Sequence, residues 1–133
     1  MLVIYMDIKK EYIALKDLEI YKLSREISKN AWEIYKNLNF EEKKIIGEQF
    51  IRAIDSISAN IAEGHGRFHY LDRIKFCYNA RGSLEESVNW TEIMIERDIG
   101  KKIILERIVK LLKEEEVKLN NYISSIYRAK EKK

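Results

Sequence analysis

The segment QFIRAIDSISANIAEGHGR, residues 49–67, decides the fold because its apolar residues recur with the period of a helix. Starting at Ile46, three residues before this segment, apolar residues recur every three or four positions, which is the spacing of one helical face. These positions are Ile46, Phe50, Ala53, Ile57 and Ile61. Gly64 and Gly66 follow directly, so the pattern predicts a long helix that ends at these glycines, with His65 as a solvent-facing turn residue.

Three further segments show the same helical spacing. The first follows Asp17, a predicted N-cap, and its apolar positions are Ile20, Leu23, Ile27, Ala31, Ile34 and Leu38. The next begins near Tyr70 and has two partly apolar faces, which predicts neighbours on both sides or a subunit interface. The last follows Gly100, a predicted left-handed cap, and its repeating face holds Ile104, Ile108, Leu111, Glu115, Leu119, Tyr122 and Ile126.

The composition agrees with a fold made of long helices. The chain has 133 residues, no proline and only five glycines, and 46% of its residues are hydrophobic. A strand-rich domain of this length would need many more turn residues. Short connections between long helices force antiparallel neighbours. The sequence therefore predicts an all-α, up-down-up-down four-helix bundle domain over residues 17–133, with a short N-terminal arm at residues 1–16.

Charge is unevenly distributed along the chain. The formal net charge is only +3, but residues 101–133 carry ten Lys and Arg against five Glu. Such an excess either forms a solvated helix face or contacts phosphate. The candidate nucleic-acid contacts are Lys101, Lys102, Lys110 and Arg128.

The cysteine count and the first residues narrow the class of protein. A single cysteine, Cys77, excludes an internal disulfide and a multi-cysteine zinc site, and its helical setting predicts a buried thiol. The opening MLVIYMDIKK is too short for a membrane span or a signal-peptide core. We therefore expect a cytoplasmic protein without a membrane partner.

Polar side chains with hydrogen-bonding groups follow one face of the second helix. We call this set the polar stripe: Gln49, Arg52, Ser56, Asn60, Glu63 and Arg67. The third helix offers Ser83 and Glu86 as matching groups. Such residues form networks between packed helices or between subunits. The alternative is a polar groove that binds a ligand or a nucleic-acid backbone.

The patterns expected of enzymes and cofactor sites are missing from the sequence. His65 and His69 lie four residues apart, but the intervening glycine ends the helix that would place both on one metal ion. GHGR has neither the third glycine of a dinucleotide fingerprint nor the Gly-Lys-Ser/Thr of a P-loop. Cys77 and the serines have no histidine at a suitable spacing. We expect no catalytic residue, no metal and no cofactor.

The second and third helices resemble the proteins encoded within intervening sequences of bacterial 23S ribosomal RNA genes. The likeness extends over about Leu18 to Tyr127. Its motif positions are Gln49, Arg52, Ala53, Ser56, Ile57, Asn60, Ile61, Ala62, Glu63, Gly64, Gly66 and Arg67, followed by Ala80, Gly82, Ser83, Leu84 and Glu86. Members often have a proline where this chain has Ser58, and another where it reads NLNFEE, which predicts a straighter second helix here.

The resemblance implies a homopentameric four-helix bundle without an active site. Relatives include the accessory protein of diversity-generating retroelements, which is associated with nucleic acid and a reverse transcriptase. We therefore expect a non-enzymatic, self-associating scaffold that binds RNA or DNA through a basic surface. The alternative is a protein–protein scaffold without nucleic-acid binding, whose partner would be a protein encoded nearby.

Overall fold

The chain enters the bundle through one tight turn. The computed structural model describes residues 13–131. A single 3-10 turn, Leu15–Asp17, leads into the first helix, α1, which spans Glu19–Lys36. Residues 1–12, which make up most of the predicted arm, lie outside the described part of the chain.

Three more long helices follow α1. The second, α2, opens with an α-helical turn at Phe40–Glu42, widens into a π-helical turn at Lys43–Gly47, and continues as a regular α-helix over Glu48–His65. The third and fourth, α3 and α4, span Tyr70–Glu96 and Lys102–Glu131. No strand occurs within residues 13–131. The predicted all-α fold class is confirmed.

Each helix packs against two others. Consecutive helices are in contact, and α4 also packs against α1, so that the four surround a common core. The cross-contacts between α3 and α4 give their direction: Tyr78 of α3 meets Tyr127 of α4, whereas Arg81 meets Asn120. Because one number rises as the other falls, these two helices are antiparallel.

The core contains the apolar faces that the sequence pattern identifies. Among its fully buried side chains are Ile27, Phe50, Ile57, Leu84 and Leu112, one or more from every helix. Burying an aliphatic or aromatic side chain of this size contributes about 1.5–3 kcal/mol. The same core encloses Cys77, confirming the predicted burial of its thiol.

Two helix starts differ in how they are capped. The predicted N-cap at Asp17 is wrong, since Asp17 lies in the 3-10 turn and α1 begins after Leu18, which makes no side-chain cap. Leu18 is buried, so core packing of its side chain sets the start of α1. At α2, the Asn39 side chain accepts a hydrogen bond from the Glu42 amide at 2.8 Å, while the Glu42 carboxylate accepts one from the Asn39 amide at 3.0 Å. This reciprocal capping box fixes the reversal between α1 and α2.

The connection between α3 and α4 uses two left-handed residues. Asp98 has φ 56° and Gly100 has φ 84°. The predicted left-handed conformation of Gly100 is therefore confirmed, although α3 already ends at Glu96. A Cβ atom at Gly100 would lie 3.1 Å from Cγ2 of Ile34, so glycine also allows this turn to pack closely on α1.

Candidate nucleic-acid interface

Two tyrosines meet on the outer surface between α3 and α4. The hydroxyl groups of Tyr78 and Tyr127 lie 2.7 Å apart and form a hydrogen bond. The side chains remain 40% and 39% exposed, respectively. The hydrogen bond with Tyr78 is the main cause that raises the pKa of Tyr127. The antiparallel register thus places two linked aromatic rings at the surface.

An arginine supports this pair. The guanidinium carbon of Arg81 lies 4.8 Å from the centre of the Tyr78 ring, a cation–π contact. Its Nη1 also donates a hydrogen bond to Oδ1 of Asn120 at 3.1 Å. Arg81 therefore holds Tyr78 against α4 and adds a positive charge beside the ring.

Two exposed lysines flank the tyrosines. Lys75 precedes Tyr78 by three residues and Lys130 follows Tyr127 by three, a spacing at which helical side chains are neighbours. We call the set the tyrosine face: Lys75, Tyr78, Arg81, Asn120, Tyr127 and Lys130.

The tyrosine face lies within a strongly basic half of the α3–α4 pair. Residues 67–82 and 117–131 together contain seven Lys and Arg and two carboxylates, Asp72 and Glu131. Residues 83–116, in the other half, contain six Lys and Arg and nine carboxylates. Antiparallel packing brings the two basic segments together, which concentrates positive potential at one end of these helices.

The four basic residues predicted from the sequence do not form one site. Lys101, Lys102, Lys110 and Arg128 are all exposed. However, the 26 residues of helix between Lys102 and Arg128 correspond to about 39 Å. Lys110 also has a carboxylate four residues away on each side. Only Arg128 lies at the basic end, beside Tyr127, and a contact of any of the four residues with nucleic acid stays a prediction.

The tyrosine face is not apparent when charge is counted along the chain. The residues that meet are 39 to 49 positions apart, and their proximity depends on the register between α3 and α4. The available signal was the pair of carboxylate-poor segments, one at the start of α3 and one at the end of α4.

The polar stripe on α2 is only partly buried within one chain. Ser56 and Asn60 are half-buried, and the other four members are exposed. The Ser56 hydroxyl donates to the Arg52 carbonyl at 2.7 Å, and the Asn60 amide donates to the Ser56 carbonyl at 2.9 Å. Arg67 pairs with Glu63 at 2.6 Å. Each of these contacts joins two residues four positions apart in the chain, so none of them links α2 to another helix.

The matching residues predicted on α3 behave in the same way. Ser83 is half-buried, and its carbonyl accepts a hydrogen bond from the Ser87 hydroxyl at 2.7 Å. Glu86 is exposed and accepts a hydrogen bond from Nε1 of Trp90 at 3.1 Å. The described contacts give no polar network between α2 and α3, so the role of the stripe at a subunit interface stays a prediction.

The two histidines have separate environments. His65 is the last residue of α2 and is half-buried, and its Nε2 donates to the backbone carbonyl of Ile13 at 2.6 Å. The prediction of a solvent-facing turn residue is therefore wrong, because the segment before α1 packs against this ring. His69 is exposed at the start of α3, with its ring edge against Phe68 at 5.4 Å.

Two titratable groups with strongly shifted pKa values lie inside the core. Burial raises the pKa of the Cys77 thiol to about 11, although nearby Arg73 opposes the shift. Burial also raises the pKa of Glu115 to about 8; Lys118 opposes this shift and Glu114 adds to it. Glu115 is 0% exposed, and neither carboxyl oxygen has a hydrogen-bond partner. Both groups are inaccessible to a substrate in this packing.

A second surface feature is a cleft between α1 and α2. An open cleft of about 700 Å³ is lined by Trp32, Lys29 and Arg25 on one side and by Ile51 and Asp55 on the other. Trp32 is 52% exposed and stacks on Tyr35, with ring centres 5.4 Å apart. The lining of the cleft mixes cationic, anionic and apolar side chains, which is typical of a protein contact rather than a phosphate site.

Within residues 13–131, none of the helices combines the length and the apolar character needed to cross a lipid bilayer.

Comparisons with known proteins identify both the fold and the family. The chain is similar to a crystal structure of a protein of unknown function from the S23 ribosomal protein family of Bacteroides thetaiotaomicron VPI-5482. The TM-score is 0.72 at 24% identity, with 78% of this chain and 97% of that chain covered, so the likeness shows the fold alone. No curated protein matches the chain. The family model described as 23S rRNA-intervening sequence protein matches residues 16–121. The resemblance carried by the NIAEG motif is thus confirmed, and the chain belongs to the 23S rRNA-intervening sequence protein family.

Proposed function

We propose that this protein is a non-enzymatic, self-associating scaffold, in the form of a homopentamer, that binds RNA or DNA through a basic surface. The observation that carries the proposal is the separation of charge in and around α3 and α4, in which residues 67–82 and 117–131 contain seven basic residues and two carboxylates. Phosphate backbones are attracted by such a surface independently of base sequence.

The proposal of a non-enzymatic role rests on where the reactive groups lie. Glu115 and Cys77, whose pKa values are raised most clearly, are enclosed by apolar side chains. A general acid or a nucleophile must reach its substrate. We assign no catalytic residue, metal or cofactor to the chain.

Self-association is supported by the family resemblance and by the exposed apolar side chains. Phe40, Phe68 and Ile103 are each more than two-thirds exposed in the single chain. A closed ring would repeat the basic surface in every subunit, so a long nucleic acid could bind several copies at once. Such multivalent binding increases affinity without any new type of contact.

Light scattering of the purified protein is expected to give several times the monomer mass of 15.9 kDa. A homopentamer would give about five times that mass, since cyclic assemblies have a fixed number of subunits. The measurement is size-exclusion chromatography with multi-angle light scattering, at micromolar protein and at two salt concentrations. A monodisperse monomer under both conditions would refute self-association.

Charge reversal at the basic end should weaken nucleic-acid binding more than the same reversal elsewhere. The test variant combines Lys75→Glu, Arg128→Glu and Lys130→Glu. The matched control combines Lys101→Glu, Lys102→Glu and Lys110→Glu. Because each lost phosphate contact reduces the salt slope by about 0.7 on single strands, the test variant should lose about two units of slope.

Fluorescence anisotropy over a salt series measures this difference. Equal losses in the two triple variants would argue against a localised basic surface. A wild-type protein that binds no nucleic acid at low salt would favour the alternative function, a protein–protein scaffold. The α1–α2 cleft with exposed Trp32 is the observation that supports that alternative.

A further inference from the structure

We infer that the tyrosine face binds single-stranded RNA or DNA in preference to duplex, by stacking an unpaired base on Tyr78 and Tyr127 while the flanking lysines contact phosphates. This inference rests on the proposed function and assigns a site and a ligand class to it.

The rings are held in place before any ligand arrives. The 2.7 Å hydrogen bond between the Tyr78 and Tyr127 hydroxyls restrains both side chains. Arg81 restrains Tyr78 further through its cation–π contact and its hydrogen bond to Asn120. Binding a base would therefore order few additional rotamers, which reduces the entropic cost of association.

The rings are also accessible. At 40% and 39% exposure, Tyr78 and Tyr127 are among the exposed large apolar or aromatic side chains of the described residues. Their surroundings suit nucleic acid rather than an apolar partner, because Arg81 contacts the Tyr78 ring and Lys75 and Lys130 each lie about one helical turn from a tyrosine. Aromatic side chains interleaved with cations form the usual platform for single strands.

The charge pattern defines how far the site extends. Between residues 67 and 82 the sole carboxylate is Asp72, and between residues 117 and 131 the sole carboxylate is Glu131, the last residue of α4. On α3, Glu85 follows Arg81 by one helical turn and is exposed. The favourable surface for phosphate therefore ends near Arg81 and Asn120 and continues towards the other end of the helix pair.

The preference for a single strand follows from the chemistry of stacking. In a duplex, each base is paired and stacked on its neighbours, so its flat face is not available to a tyrosine. Lysines alone would bind duplex and single strands through their phosphates. Since this site adds exposed rings to the lysines, only an unpaired strand can make both kinds of contact.

The test measures how tightly the wild-type protein binds four labelled nucleic-acid probes of the same sequence. They are a single-stranded RNA, a single-stranded DNA and the two corresponding duplexes, each of about 20 nucleotides per strand, long enough to span a typical single-strand site. Fluorescence anisotropy at low salt gives the dissociation constants. We expect single strands to bind at least about tenfold more tightly than duplexes, and the RNA and DNA arms identify the preferred sugar.

Tyrosine variants separate stacking from charge. Tyr78→Ala with Tyr127→Ala should weaken single-strand binding about tenfold or more and leave duplex binding and the salt slope unchanged. Tyr78→Phe with Tyr127→Phe keeps the rings but removes the hydrogen bond between them, so its single-strand binding should be weaker than wild type and tighter than that of the alanine pair. Trp32→Ala removes an exposed aromatic side chain from α1 and is the matched control, with no expected change. Circular dichroism and thermal unfolding verify that every variant is folded.

The outcomes distinguish this inference from the proposed function. Equal affinity for single strands and duplexes, or an alanine pair that binds like wild type, would overturn the inference. If charge reversal at the basic end still weakened binding, the proposed function would stand without it. A wild-type protein that binds none of the four probes would overturn both.

Discussion

Replacing Glu115 with leucine is expected to raise the free energy of unfolding, increasingly so as the pH rises. Glu115 is 0% exposed, and both of its carboxyl oxygens are without hydrogen-bond partners. A buried polar group that is left unsatisfied costs about 1–3 kcal/mol. Leucine has a similar volume and no polar atom, so it should recover about this amount even when the carboxyl group is protonated.

The pH dependence follows from the raised pKa of this carboxyl group. Burial raises it from 4.5 in the unfolded chain to about 8 in the folded protein. Between these values the folded state holds one proton more than the unfolded state, so stability falls by about 1.4 kcal/mol for each pH unit. The loss begins near the unfolded pKa, is complete above the folded pKa, and amounts to roughly 5 kcal/mol in total.

Urea denaturation of wild type, Glu115→Leu and Glu115→Gln at acid, neutral and alkaline pH measures this effect. The glutamine variant cannot ionise, so its stability relative to wild type should increase with pH. Glu116→Gln is the matched control, because Glu116 is the exposed neighbour on the same helix. A constant difference between wild type and the Glu115 variants from acid to alkaline pH would disprove the buried ionisation.

The sequence predicts this bundle well where one helical face is enough to define an element. The apolar spacing places Ile27, Phe50 and Ile57 in the core, and all three are buried. Glu115 is on the repeating face of α4 in the sequence and is buried in the structure, so the helical spacing also identifies this charged residue as one that faces the core. Periodicity works here because burial depends mainly on the direction of a side chain around its helix axis.

The start of α1 shows where such reasoning is insufficient. Asp17 has the right chemistry for an N-cap, yet α1 begins after Leu18. A cap contributes about 1 kcal/mol, whereas burying a leucine contributes about 1.5–3 kcal/mol. The tertiary contact of Leu18 therefore prevails over the local signal of Asp17.

The pairing of Tyr78 with Tyr127 does not follow from helical periodicity. Tyr78 and Tyr127 are 49 residues apart, and their hydroxyl groups meet because of the axial register of α3 and α4. Helical periodicity gives the direction of a side chain but not how far one helix slides along another. The charge total of each helix hides the site for the same reason, since only half of each helix is basic.

Replacing Gly64, the glycine of the NIAEG motif, is also expected to have a large effect on the free energy of unfolding. The sequence pattern predicts that Gly64 ends α2, but α2 continues through it to His65, and Gly66 follows the helix. Gly64 is buried, and a Cβ atom there would lie 2.9 Å from Cβ of Phe76 and 3.4 Å from the Arg73 carbonyl oxygen. Glycine is therefore required here because α3 approaches α2 closely, and not because the chain turns at this residue.

Gly64→Ala should consequently destabilise the protein, whereas Gly82→Ala should stabilise it. Both glycines are helical, so each alanine gains up to about 1 kcal/mol in helix propensity. At Gly64, overpacking against α3 costs about 1–3 kcal/mol and should outweigh that gain. At Gly82 nothing lies within 4 Å of the added Cβ atom, so the gain remains. Urea unfolding at one pH compares the two variants. If Gly64→Ala proved as stable as Gly82→Ala, α3 would not be packed against the motif glycine as described.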